Sequence, residues 1–177
     1  MSQHEVVDIV DQQNAVLYQT TKEEAHAKGL LHRTVIAVIK DSSGKWPLVR
    51  QAADRQDAGQ FVLPVGGHVQ AGETEEAALR RETVEETGLT EFDCRLIGNV
   101  IYQRHVLNRD ENHYFSLFEI DSDESLVLGD EAVEYRRFSE IEIQQILLTN
   151  PEIFGDSFHF HVQEFYPRLL PQTELVD

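Results

Sequence analysis

Cysteine is nearly absent from this chain: Cys94 is the only one in 177 residues. An internal disulfide needs two and a thiolate zinc cage needs more, so both are excluded, and nothing asks for an oxidising compartment. Cys94 reads as a strand residue. Long apolar runs are also missing. None approaches the ~18 residues of a membrane span, and the start, Met-Ser-Gln-His-Glu-Val-Val-Asp, lacks a basic-then-apolar leader. A cytoplasmic protein without a membrane partner is the expectation. Basic residues are scarce as well, with Lys+Arg 15 against Asp+Glu 32 and a net charge of −17. That argues against a nucleic-acid polymer as partner, because backbone phosphates are gripped by clustered Lys and Arg. Internal repeats and low-complexity tracts are absent too.

What is present is an ordinary globular composition, 41% hydrophobic and 27% charged, in a chain long enough for one domain with a real core. Residues 1–30 read as an extension: strands at 5–10 and 15–19 about a turn, then a short helix capped by Thr21 with Glu24 and ending at Gly29. Residues 31–177 read as the main domain. It opens on Leu31–Lys40, an apolar, β-branched central strand. A turn at 41–44, a strand at 46–50 and a polar loop at 52–60 follow, and Phe61–Val65 leads into a glycine turn. Long paired strands are expected at Phe92–Tyr102 and His113–Ile120, joined by a charged loop, Gln103–Asn112. A last strand at 134–138, a helix at 139–148 capped by Ser139 and an amphipathic helix at 157–170, ended near Pro167 or Pro171, complete the order.

Between the glycine turn and the long strands lies the stretch that carries chemistry. Thr74 is a helix N-cap and Gly88 a C-terminal stop, bracketing about four turns. Glu82, Glu85 and Glu86 stand at spacings of three and four, so all three fall on an arc of roughly 100°. Like charges so placed repel, and acids near a helix C-terminus oppose its dipole. A solvated acidic face is one answer. A bound Mg²⁺ or Mn²⁺ is the other, since hard oxygen ligands suit those ions.

The run from Gly67 through Glu73 to Arg81-Glu82-Thr83-Val84-Glu85-Glu86-Thr87-Gly88-Leu89 resembles the Nudix box, G-x5-E-x7-R-E-U-x-E-E-x-G-U with U apolar. Every charged and glycine position matches, and Thr83 at the first apolar position is the one departure. The resemblance implies an α/β (α+β) fold with a mixed β-sheet sandwiched between α-helices. It also implies divalent-metal-dependent hydrolysis of a nucleoside diphosphate linked to another moiety, by water attack on phosphorus. Carried over by position, Glu82, Glu85 and Glu86 would bind metal, and Glu82 would also orient or deprotonate water. Arg81 would hold a box glutamate, Glu73 would support the network, and the Gly66 carbonyl would add a ligand. A further acid would come from outside the box: Glu111, Asp123, Glu124, Asp130 or Glu131. Dimers are common in that family, so a homodimer is admitted.

Outside the box, residues 7–118 are similar to the isopentenyl diphosphate isomerase branch of the same superfamily, through Glu24-Ala25-His26, Leu31-His32-Arg33, Gly67-His68-Val69 and Glu111-Asn112. Those isomerases build a metal site from three histidines and later glutamates. The likeness therefore implies a second site at His26, His32, His68 and Glu111, for Zn²⁺ or Mn²⁺, set against structural histidines bonded to backbone. The isomerases' cysteine and second glutamate are here Gly66 and His113, so isomerisation is not expected. An isomerase-like protein and a non-catalytic diphosphate-binding module stand as alternatives to the hydrolase. His159 and His161 receive no role. For the substrate, Arg55 and Arg104 are the favoured phosphate contacts, both placed in loops beside the turn. Arg50 and Arg109 are further cations, and Trp46, Phe61 and Tyr102 could stack on a base.

Overall fold

The computed structural model describes residues 5–172. Its organising element is β3 (His32–Lys40), buried from His32 through Ile39. Side chains alternate along a strand, so Val35, Ala37 and Ile39 enter one apolar cluster while Ile36 and Val38 enter another on the opposite face. A strand covered on both faces needs an unbroken apolar run, which is what this stretch supplies.

β8 (Arg109–Asp121) runs parallel to β3, in register from His32↔His113 to Lys40↔Asp121. The other flank of β3 is shared by two strands. β1 (Val6–Val10) meets it at Ile9↔His32, and further along β6 (Val65–His68) pairs antiparallel from Thr34↔His68 to Ala37↔Val65. With β2 (Val16–Thr21) beside β1 and β7 (Cys94–Val106) beside β8, the order is β2-β1-β3-β8-β7, and β6 lies off that path. A second, antiparallel sheet is ordered β5 (Phe61–Val62), β4 (Trp46–Gln51), β9 (Ala132–Phe138).

Helix α2 (Glu75–Thr87) packs Ala78 and Leu79 onto the face carrying Val35, Val65 and Val69. Full burial of a side chain such as Leu79 contributes about 1.5–3 kcal/mol. Trp46, Leu48 and Phe138 of the small sheet cover the opposite face, with Ile143 of α3 (Glu140–Thr149) and Phe158 and Val162 of α4 (Asp156–Phe165). The architecture is thus the expected mixed α/β sandwich. None of the described helices is long and apolar enough to cross a membrane.

The first thirty residues are tied into this frame. Helix α1 (Lys22–Ala27) is capped by the Thr21 side chain, and its Ala25 joins Val7 and Ile9 in a small cluster. Asp8, buried in β1, pairs with Arg33 of β3 at 2.6 Å and accepts the Gly72 N–H at 3.0 Å. Asp8 thus fastens the extension both to β3 and to the turn ahead of α2, and removing one partner of such a buried ion pair costs about 3–5 kcal/mol.

Two expectations are corrected. Gln103–Asn112 is no loop, because β7 and β8 continue through it and turn on Leu107 and Asn108 alone, at φ 49° and 58°. Cross-strand pairs Gln103–Asn112 (3.0 Å), Arg104–Glu111 (3.0 Å) and His105–Asp110 (2.7 Å) carry the polar ladder. The last helix stops at Phe165, at the earlier of its two proline ends and short of 170, and Pro167 opens a separate 3₁₀ turn.

Candidate active site

One cavity of about 740 Å³ gathers Gly66, Gly67 and His68 of β6, Arg81, Glu82, Glu85 and Glu86 of α2, and Arg55, Tyr102, Arg104 and Glu111. Strand β6 sets its geometry. The alternation that sends Val65 and Val69 toward α2 sends Gly67 the same way, and a Cβ on Gly67 would lie 2.0 Å from the Glu82 carboxyl carbon. Only glycine lets that carboxylate lie against the strand.

The helix is seated by local chemistry. The Thr74 hydroxyl accepts from Ala77 N at 3.2 Å, and Gly88 ends the helix at φ 72°. Thr83, the departure from the apolar pattern, is fully buried on the packed face, and its hydroxyl has no partner.

Arg81 is the hub of the acids. It donates through Nη1 to Glu82 Oε1 at 2.5 Å, through Nη2 to Glu73 Oε2 and the His68 carbonyl, each at 2.9 Å, and through Nε to Glu73 Oε1 at 3.1 Å. Its pKa is raised, first by the bond to Glu73. Burial would lift Glu73, but Arg81 and the Gln70 N–H outweigh it and hold that carboxyl below its usual range. Glu82 behaves oppositely: burial pushes it up to about 7 despite Arg81. Burial also pushes Glu86 well up, against its bond from Gly66 N–H at 2.8 Å, and Glu82 and Glu131 add to the rise. Two under-compensated carboxylates beside a cavity are a place a divalent cation fits. Glu85 is 59% exposed, with Arg81 at 4.0 Å. Gly66 contacts Glu86 through its N–H, so the structure brings it to the acids without showing its carbonyl in a ligand role.

Among the acids outside the box, Asp130, Glu131 and Glu111 line the cavity. Asp123 instead accepts from Ser42 N at 2.9 Å. Arg55 stands in its predicted loop and pairs with Glu131 at 2.8 Å. Arg104 lies on β7, not in a loop, and is held by Glu111 (3.0 Å), Gln56 (2.5 Å) and Asp57 (3.4 Å). Of the aromatic candidates only Tyr102 lines the cavity; Trp46 is core, and Phe61 packs against Phe138.

The histidine prediction is partly corrected. His26, His32 and His68 do converge, but the fourth member is His113: one ring nitrogen from each lies within 4.8 Å of the others. Glu111 is outside that group, drawn off by Arg104, by Arg109 at 2.9 Å and by Gln56. Period-two spacing puts Glu111 and His113 on one face of β8, and the parallel register then sets His113 beside His32. The spacing was readable, the register was not. The three box carboxylates form no comparably tight group among the described residues.

The frame is a mixed sheet flanked by helices, with clustered acids on one helix facing a cavity. The NUDIX domain family model matches residues 30–156. The chain belongs to the Nudix family. A Yersinia pestis Nudix hydrolase of uncharacterised function is 39% identical over 87 residues, 48% of this chain and 47% of that protein. The chain thus spans about half the length of such relatives. Isopentenyl-diphosphate Delta-isomerase 2 of Photorhabdus laumondii is 27% identical over 157 residues, 85% of this chain and 86% of that one. Among solved structures, a Deinococcus radiodurans protein shares the fold at TM-score 0.74 and 19% identity, covering 92% of this chain and 99% of its own. The NUDIX domain of Shewanella oneidensis NrtR, complexed with ADP ribose, does so at TM-score 0.57 and 15% identity, covering 77% and 87%.

Proposed function

We propose that the chain hydrolyses a nucleoside diphosphate linked to another moiety, or a related organic diphosphate, using Mg²⁺ or Mn²⁺ held by Glu82, Glu85, Glu86 and the Gly66 carbonyl. The observation that carries this reading is the pair of carboxylates, Glu82 and Glu86, pressed into a cavity wall with too little positive charge around them. When bound, a divalent cation lowers the pKa of water and spreads the charge of the transferring phosphoryl group.

The chain's own residues do the rest. Arg81 holds Glu82 and Glu73 by hydrogen bonds from one guanidinium, so neither turns away as substrate enters. Glu82, which lines the cavity beside Glu85 and Glu86, takes the proton of the attacking water. Arg55 and Arg104 receive the phosphates, exchanging one of their acid partners for substrate oxygens. The histidines have no part in this reading. The cytoplasm and a homodimer are the setting we expect; fractionation and sedimentation measure them.

A panel of nucleotide sugars, dinucleotides, deoxynucleotides and prenyl diphosphates tests the reading, with ADP ribose included because one structural neighbour holds it. Phosphate-containing product from at least one, lost by about 10³-fold or more in Glu86→Gln, is expected. Equal inertness of wild type and variant across the panel overturns it. The isomerase relative raises a second reading. Gly66 and His113 occupy that branch's cysteine and second glutamate, so isopentenyl diphosphate in deuterated water should gain no deuterium.

A further inference from the structure

We propose that Asp8 and Arg33, both outside the Nudix box, are positioning residues for Glu82. From β1 and β3 they fix the turn at 70–73, and the turn fixes the carboxylate through Glu73 and Arg81. The effect on rate rests on the hydrolase reading, while the path of contacts is independent of it.

Each buried N–H of the turn needs an acceptor. Glu73 N–H closes the turn on the Gln70 carbonyl at 2.9 Å, with Gly72 at φ 77°, and Gln70 N–H goes to Glu73 Oε2 at 3.0 Å. The two amides between them are taken by β1. Ala71 donates to the Val6 carbonyl at 2.8 Å and Gly72 to Asp8 Oδ2 at 3.0 Å. Val6 offers a backbone oxygen, which any residue there would carry. Asp8 offers a side chain, so this tie depends on the residue type.

Asp8 is itself held on several sides. It is 3% exposed, Oδ2 also accepts from Arg33 Nη2 at 2.6 Å, and Oδ1 accepts from Gln19 Nε2 at 2.9 Å. Arg33, equally sequestered in β3, reaches the Glu73 carbonyl through Nη2 and Glu75 Oε1 through Nη1, each at 3.4 Å. Asn14 of the extension donates to the same Glu75 oxygen at 3.0 Å. A buried ion pair often stabilises no more than well-packed apolar groups in its place. What this one adds is direction, with an oxygen fixed for Gly72 and an N–H fixed for Glu73.

Beyond the turn the path continues without a gap. Glu73 holds Arg81 at Nε and Nη2, and Arg81 Nη1 holds Glu82. Gly67 confines that carboxylate from the β6 side. A turn released from β1 therefore frees Glu73 first, then Arg81, then Glu82, and the extension takes part in aligning the acid end of the cavity.

The test uses the full chain. Asp8→Ala should lower kcat on any panel substrate by about 100-fold, the effect of a shift near 1 Å, with KM within about threefold. Asp8→Asn keeps an oxygen and loses the charge, so its kcat should fall by about tenfold. By NMR the Arg81 Nε–H should exchange with solvent at least about tenfold faster in Asp8→Ala, and by a smaller factor in Asp8→Asn. Ile9→Ala takes a buried side chain of the same strand out of the extension's apolar cluster. It should lower the melting temperature yet leave kcat and Arg81 exchange within about threefold of wild type. Undiminished kcat in both Asp8 variants, unchanged Arg81 exchange, or an equal loss of kcat in Ile9→Ala would each overturn the assignment. Asp8→Asn decides if Asp8→Ala does not fold. If wild type turns over nothing on the panel, the hydrolase reading falls, and the Arg81 exchange rate still decides whether Asp8 holds the network.

Discussion

Gly67 is where the carboxylate end of the cleft closes, because its missing side chain is the space Glu82 occupies. Gly67→Ala should keep the fold but push the Glu82 carboxylate aside, lowering turnover of any panel substrate by about 100-fold, since a shift near 1 Å is enough for that. Steady-state kinetics beside a melting curve would separate the two effects. Thr83 makes the opposite prediction. Its buried hydroxyl has no partner, so Thr83→Val, of similar shape, should stabilise the protein by about 1 kcal/mol, read from the denaturant midpoint at constant slope. At this scale the chain was most legible. Caps, stops and the three glutamates are local features of one helix, and the structure puts them where spacing says. His113 was not legible as a partner of His32, because that neighbourhood depends on two strands 81 positions apart choosing a parallel register.

Among the elements, the β7–β8 hairpin is where pattern reading failed. Its far half is polar on both faces, and charged residues in succession read as a loop unless cross-strand pairing is known. The two-residue turn needs positive φ at both positions, yet places an exposed leucine at one of them, at 49°. Leu107→Gly should therefore raise stability by about 0.5–1 kcal/mol, without moving the paired strands. Chemical denaturation checks this, and unchanged amide exchange along Arg104–Glu111 checks the register. The stop of α4 falls at the earlier of the two prolines the pattern offers, Pro167, because a proline ends the hydrogen-bond ladder even where the amphipathic pattern continues.

For the molecule as a whole, acid should be the weak flank. His161 lies in the core against Phe115, Phe160 and Phe165, and burial drives its pKa down to about 4, against the bond to the Ser157 carbonyl and with the Arg104 charge adding to the fall. The folded state holds the ring neutral, while the unfolded chain protonates it near 6.5. Stability is thus fully present above pH 6.5 and falls as pH drops toward 4, by at most on the order of 3 kcal/mol for this one group. His161→Phe should flatten the fall in melting temperature between pH 6.5 and 4 relative to wild type. If both curves keep the same slope, this histidine is not the source.

Strand β6 carries Gly67 on one face and His68 on the other, next to each other in sequence. It therefore works as a common ruler for the acidic helix and the cluster of imidazoles. Sliding it by a single position against β3 would hand an imidazole to the acidic helix and a bare backbone to the histidine ring. A deletion that shortened this segment by one residue should displace the carboxylates and the imidazoles together.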